Sequence, residues 1–140
     1  MRQLLVPIDP HNQALTRSAI AEVVRLYRQE PVGVRLVRVQ PRVTGHVAMF
    51  FGTRELHDLQ LQAGAEDLRF AQSLLETAGV PHHSTVLVGR SAETIARAAR
   101  DYGCDSIIFG DSPGLASKVF GSLAQQVRHL LGPGEAQVIG

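Results

Sequence analysis

Short apolar runs alternate with longer amphipathic segments along this chain. The runs are Leu-Leu-Val-Pro-Ile at 4–8, a stretch at 34–39, Thr-Val-Leu-Val at 85–88 and Ser-Ile-Ile-Phe at 106–109, with a weaker Gln-Val-Ile at 137–139. Each is short and rich in β-branched residues, the signature of a strand. Between them apolar residues step by three or four, as on one side of a packed helix. Leu15, Ala19, Val23, Leu26 and Tyr27 form one such face, and Leu61, Leu68, Ala71, Leu75 and Ala78 a second. Ala92, Ile95, Ala96 and Ala99 form a third, and Val119, Leu123, Val127 and Leu130 a fourth.

Breakers fall in the gaps. Pro31 and Gly33 part the first helix from the second strand, Gly79 and Pro81 end the second helix, Gly103 the third, and Gly132-Pro133-Gly134 the fourth. Ser91 stands where it would cap the third helix, with Thr94 in the first turn. Strand, helix, strand in repetition predicts parallel strands joined by right-handed crossovers. Nearly continuous apolar strands predict a sheet covered on both faces. The expectation is an α/β fold: one domain over 1–140, doubly wound and Rossmann-like, with five strands. The one long connection, residues 41–54 from Pro41 to Arg54, has the length of a lid or a partner surface.

In open sheets of this kind ligands bind beyond the carboxyl ends of strands, where the strand order reverses. With an order of 3-2-1-4-5, which alternation alone does not fix, that point lies between strands one and four. There Pro7-Ile8-Asp9-Pro10 would face Phe109-Gly110-Asp111-Ser112-Pro113-Gly114. Gly110 and Gly114 permit close backbone approach to a ligand. The helix that follows carries Gly121 and Ser122, and N–H groups exposed at a helix start attract phosphates. A plain turn uses the same residue types, so the loop alone leaves both readings open.

Composition removes other classes. A net charge of +1 supplies no field for nucleic acid or an anionic membrane, and aromatics at 5% offer little for stacking bases. No apolar run nears the length of a membrane helix, and no signal peptide precedes the first strand, so a cytoplasmic location is expected. Cys104 is alone and reads as a small buried hydrophobe. The histidines assemble no metal site: His82 and His83 would point to opposite faces of a strand, His46 and His57 flank the variable loop, and His11 reads as exposed or capping. Arg35, Arg38 and Arg42 read as a solvated basic edge. The chain has no nucleophile elbow, Walker loop or dinucleotide fingerprint, and Gly89-Arg90 occupies the place where a receiver domain needs an acid.

Four segments resemble the universal stress protein family. Leu4-Leu5-Val6-Pro7-Ile8-Asp9 is similar to its opening strand, which ends in Pro, a hydrophobe and Asp. The stretch from Gly89 to Ala99 resembles its third helix entry, Tyr102 to Gly110 its fourth strand, and Lys118-Val119-Phe120-Gly121-Ser122-Leu123-Ala124 its last helix. The resemblance covers nearly the whole chain and is weakest over residues 41–61. It implies a five-stranded parallel sheet of order 3-2-1-4-5 with helices on both faces, like that of adenine nucleotide alpha-hydrolases. It also implies a homodimer paired through residues 136–139, around Ala136, Val138 and Ile139. Some members bind ATP and others do not, the binders through Gly, two residues, Gly, nine residues, Gly, then Ser or Thr; for this chain ATP, with Mg, is the candidate cofactor.

On that analogy Pro7, Ile8, Asp9, Val39, Gly110, Asp111, Ser112, Gly114, Gly121 and Ser122 line the nucleotide site. Asp9 and Gly110 would hold the ribose, Val39 would meet the adenine, and Gly121 and Ser122 would hold phosphates. The chain departs from the pattern in its loop. Pro113 stands where the second Gly belongs, Gly114 comes one place late, and the spacing from Gly110 to Gly121 is two residues short. Proline removes an N–H donor, and Asp111 adds negative charge near the phosphates. Stress-response regulation linked to nucleotide is therefore the first reading, with at most slow ATP hydrolysis. A family member that binds no nucleotide and acts as a dimeric interaction module is the second. A small-molecule enzyme using Asp9 and His11 is the third.

Overall fold

A computed structural model describes residues 1–42, 52–111 and 115–140, with side chains given except for Thr53 and residues 115–121. Five strands, β1 (Arg2–Pro7), β2 (Val32–Gln40), β3 (His83–Val88), β4 (Ser106–Ile108) and β5 (Gln137–Ile139), form one parallel sheet of order β3-β2-β1-β4-β5. The expected order is the observed one. Among the described residues five helices connect them: α1 (Gln13–Gln29), α2 (Thr53–Asp67), α3 (Arg69–Thr77), α4 (Ser91–Asp101) and α5 (Leu115–Leu130).

Alternation along the strands divides the apolar side chains between two cores. Leu4 and Val6 of β1 join Val32, Val34 and Leu36 of β2 under α1 and α3. Leu5, Val37, Val39 and Ile107 face the other way, against Ile95, Ala98 and Ala99 of α4 and Ala124 and Val127 of α5. Leu4, Leu5, Leu36 and Ile107 are completely buried. Full burial of such a side chain contributes about 1.5–3 kcal/mol. One acid ties the amino ends of β1, β4 and β5: the Asp105 carboxylate accepts from the Gln3 N–H at 2.7 Å, and its backbone joins Gln3 and Gln137.

Several expectations change in detail. The second helix is two, α2 and α3, with the break at Leu68, whose N–H reaches Ala65 rather than continuing the regular ladder. That break rotates the apolar stripe, so Leu61 is half-buried and Ala78 exposed while Leu68, Ala71 and Leu75 stay in the core. Tyr27 and Leu130, assigned to buried faces, are exposed. Ser91 does not cap α4: Arg90 holds the cap position with no side-chain bond, and Ser91 is the first helical residue.

The arginines of the second strand are not a solvated edge, because β2 is internal. Arg35 donates to Thr85 Oγ1 at 2.7 Å and lies 4.0 Å from the centroid of Tyr102, and Arg38 pairs with Asp67 at 2.9 Å. Arg42 is exposed. Gly64 lets α2 approach β3, since a methyl there would overlap Val86. His82 Nδ1 lies 3.0 Å from the Val80 carbonyl, while His11 and His57 are exposed. His46 and most of the long connection lie outside the described residues.

Cys104 is buried beside β4, as its reading as a small hydrophobe requires. Burial pushes its thiol up from 9.0 to about 11, against the pull of nearby Arg35. The unfolded thiol ionises first, so between those values the unfolded state holds fewer protons and stability falls as pH rises. Thermal unfolding should therefore lose more midpoint in the native protein than in Cys104→Ala as pH goes from about 8.5 to about 10.5. Equal losses would show that the thiol is not desolvated.

Candidate functional site

Where the chain leaves β1, Asp9 folds the backbone into a tight turn. Its Oδ1 accepts from the His11 N–H at 2.9 Å, and its carbonyl accepts from the Asn12 N–H. Asn12 then caps α1, its Oδ1 accepting from the Leu15 N–H at 3.1 Å. Aspartate and asparagine suit these places because their short side chains bond the backbone a few residues on. This turn leaves Asp9 Oδ2 as an acceptor at the rim of a cavity.

The cavity holds about 540 Å³, within the range of small-ligand sites. Its floor is the carboxyl end of two neighbouring strands: Pro7 and Ile8 running into Asp9 from β1, and Val37, Arg38 and Val39 from β2. Ser91 and Ile95 of α4 wall one side, and Ser122, Leu123 and Gln126 of α5 the other. The walls are thus largely apolar, with a carboxylate, two hydroxyls and an amide placed around them. Arg38 is the only cation among the described lining residues. Its Nε is bound to Asp67 at 2.9 Å and its Nη1 to the Val39 carbonyl at 2.9 Å.

The ten residues picked from sequence do not all meet here. Pro7, Ile8, Asp9, Val39 and Ser122 line the cavity, and Gly121 adjoins Ser122 on α5. Gly110 and Asp111 are not among its lining. Gly110 packs on α1, where a Cβ would overlap the Leu15 carbonyl oxygen, and the Asp111 N–H donates to Ser18 Oγ at 3.1 Å. Ser112 and Gly114 lie outside the described residues. The described crevice opens over the carboxyl ends of β1 and β2. Ser91, Ile95, Leu123 and Gln126 were missed. For Gln126 a signal existed, since it follows Ser122 by four residues, one helical turn on the same face.

No group of three His, Cys, Asp or Glu side chains gathers among the described residues, and no helix among them is long and apolar enough to cross a membrane.

The sequence model of the universal stress protein family matches residues 1–131. The chain belongs to that family. No curated protein matches it. Solved structures of the family share the fold at low identity. A universal stress protein family protein from Burkholderia pseudomallei is 23% identical with a TM-score of 0.66, covering 98% of this chain and 94% of that one. The universal stress protein from Archaeoglobus fulgidus in complex with dAMP is 18% identical with a TM-score of 0.63, covering 99% and 96%. A family protein from Arabidopsis thaliana with AMP bound is 17% identical with a TM-score of 0.63, covering 99% and 90%.

The contact at Gly110 makes a prediction about this family member. Gly110→Ala should lower stability by about 2 kcal/mol, because the new methyl must push α1 or β4 aside. Urea unfolding reads it, and an unchanged midpoint would mean the two elements are free to separate.

Proposed function

We propose that the crevice binds an adenine nucleotide and that the protein serves stress-response regulation through that binding rather than through catalysis. One observation carries this reading: the cavity brings Asp9, Val39 and Ser122, from three separate elements, around one apolar slot. A carboxylate accepts from the hydroxyls of a ribose. The apolar wall of Ile8, Val37, Val39 and Ile95 suits the faces of a base. Ser122 and the Gly121 backbone are the groups for phosphate, with Ser91 and Gln126 as further hydrogen-bonding partners. The dAMP and AMP complexes of related folds support the nucleotide class. ATP, with Mg, and a cytoplasmic location are part of the proposal. His11 is exposed and its backbone N–H, not its ring, engages Asp9, which does not favour an acid–base pair of Asp9 and His11.

Thermal unfolding with millimolar AMP and with Mg-ATP tests this. A ligand at 100 times its Kd stabilises by about 2.7 kcal/mol, which for this size raises the midpoint by on the order of 5 °C. The shift should vanish in Ser122→Ala and shrink in Asp9→Asn, a change that keeps the acceptor for the His11 N–H. No shift with any adenine nucleotide, and none copurifying, would sink the proposal.

A second reading rests on charge. Arg38 is already neutralised by Asp67, and Asp9 leaves the described crevice net negative. A family member that binds no nucleotide and works as a homodimeric interaction module fits that balance. The outer edge of β5 would supply the interface at residues 136–139, where Ala136, Val138 and Ile139 are half-buried and, among the described residues, the strand pairs only with β4. Light scattering should then give a dimer mass at micromolar concentration, lost when Val138→Pro blocks the strand edge, and a monomer mass in the native protein would exclude that pairing.

A further inference from the structure

On the side of the sheet away from α4 and α5, helices α1 and α3 enclose a groove of about 560 Å³. Its floor is apolar, formed by Ile20 and Val24 of α1 and Leu74 of α3. Its rim is cationic, formed by Arg17, Arg25 and Arg28. Arg25 forks onto Glu22, and Arg17 lies 4.9 Å from the centroid of Phe70. Arg28 has no ion pair among the described residues. The groove thus carries more positive charge than its own surroundings balance.

Helix α2 presents the opposite pattern. Glu55, Asp58, Leu59, Gln62 and Glu66 share one face by helical period, and all five are exposed. Leu59 is 48% exposed, a large apolar side chain in the middle of an acidic stripe.

The two stripes have the same length. Arg17 to Arg28 and Glu55 to Glu66 are equal separations, each about 16 Å of helix. Laid antiparallel, a single register sets Glu55 against Arg28, Asp58 against Arg25 and Glu66 against Arg17. The same register sets Leu59 against Val24, over the apolar floor, and Gln62 against Ala21. Laid parallel, the register that joins the outer charges puts Asp58 over Ile20, a carboxylate on a buried apolar side chain, so the antiparallel sense is selected.

We propose that a second copy of this chain docks its α2 stripe, antiparallel, into the α1–α3 groove. The groove and the stripe belong to helices that pack on the same face of the sheet. Two copies facing each other across a two-fold axis make the contact twice. The pairing is exposed and ionic, so it weakens as salt rises. It is separate from the crevice and from the β5 edge.

Cross-linking tests it in the full-length protein carrying Cys104→Ala. A Leu59→Cys chain mixed with a Val24→Cys chain should give disulfide-linked heterodimers under mild oxidation. Their yield should exceed at least tenfold that of Leu59→Cys mixed with Glu93→Cys, an exposed site on α4. Sedimentation at low salt supplies the second arm. Arg28→Glu and Glu55→Arg should each weaken self-association at least tenfold, and mixing the two should restore it, with unfolding midpoints unchanged as evidence of intact folds. Equal cross-linking at both positions would overturn the proposal. So would a native protein that stays monomeric at about 100 μM in low salt, or association that ignores both charge reversals and is lost only when the β5 edge is blocked.

Discussion

Strand β1 is hydrogen-bonded on both edges and covered on both faces, and the rest of the molecule takes its position from that strand. Leu4 and Val6 enter one core and Leu5 the other, with no exposure at any of the three. An apolar run of this kind can be buried only by a sheet with helices on both sides. Its two neighbours, β2 and β4, lie on opposite edges. The connections leaving it must therefore part, and the space between them at the carboxyl end is left to be lined by side chains rather than filled by backbone.

What lines that space follows from how closely the helices approach. Gly110 brings the end of β4 against the first turn of α1, so closely that Leu15 supplies the opposing atom. The described cavity lies over β1 and β2, where α4 and α5 place Ser91 and Ser122 on opposing walls. Asp9 is held at the rim by its bond to the His11 N–H, so its position is fixed by the same turn that starts α1.

The fold was legible because alternation of short apolar runs and amphipathic segments is written directly in residue order. The strand order was taken from a resemblance, and the structure has it. Details that depend on distant neighbours were not legible. Tyr27 keeps helical period with the core yet is exposed, because period gives a face and not the extent of what covers it. Arg35 and Arg38 looked like solvated charges since nothing local announces Tyr102 or Asp67 as partners. In the site, Pro7, Ile8 and Asp9 could be picked because they close the first strand, while Val39 and Ser122 came with the family resemblance. Ser91 and Ile95 could not, since only the assembled sheet brings α4 over β2. Gly110 shows the ambiguity of glycine: close approach to a ligand and close approach to a helix ask for the same residue.

Helix α2 joins the crevice and the proposed docking face. Its last residue, Asp67, holds Arg38, and Arg38 in turn holds the Val39 carbonyl at the floor of the crevice. Its outer stripe, from Glu55 to Glu66, is the surface offered to a second copy. Gly64 seats the helix on Val86 of β3, so a shift of α2 cannot be confined to its outer face. A nucleotide that ordered the Arg38–Val39 floor would bias α2, and a partner that pinned α2 would bias the floor by the same free energy, since coupling between two bindings is reciprocal. The link runs through one half-buried ion pair. Asp67→Asn keeps an acceptor for the guanidinium but removes the charge that holds it, so that substitution separates a crevice and a docking face that merely coexist from two that communicate.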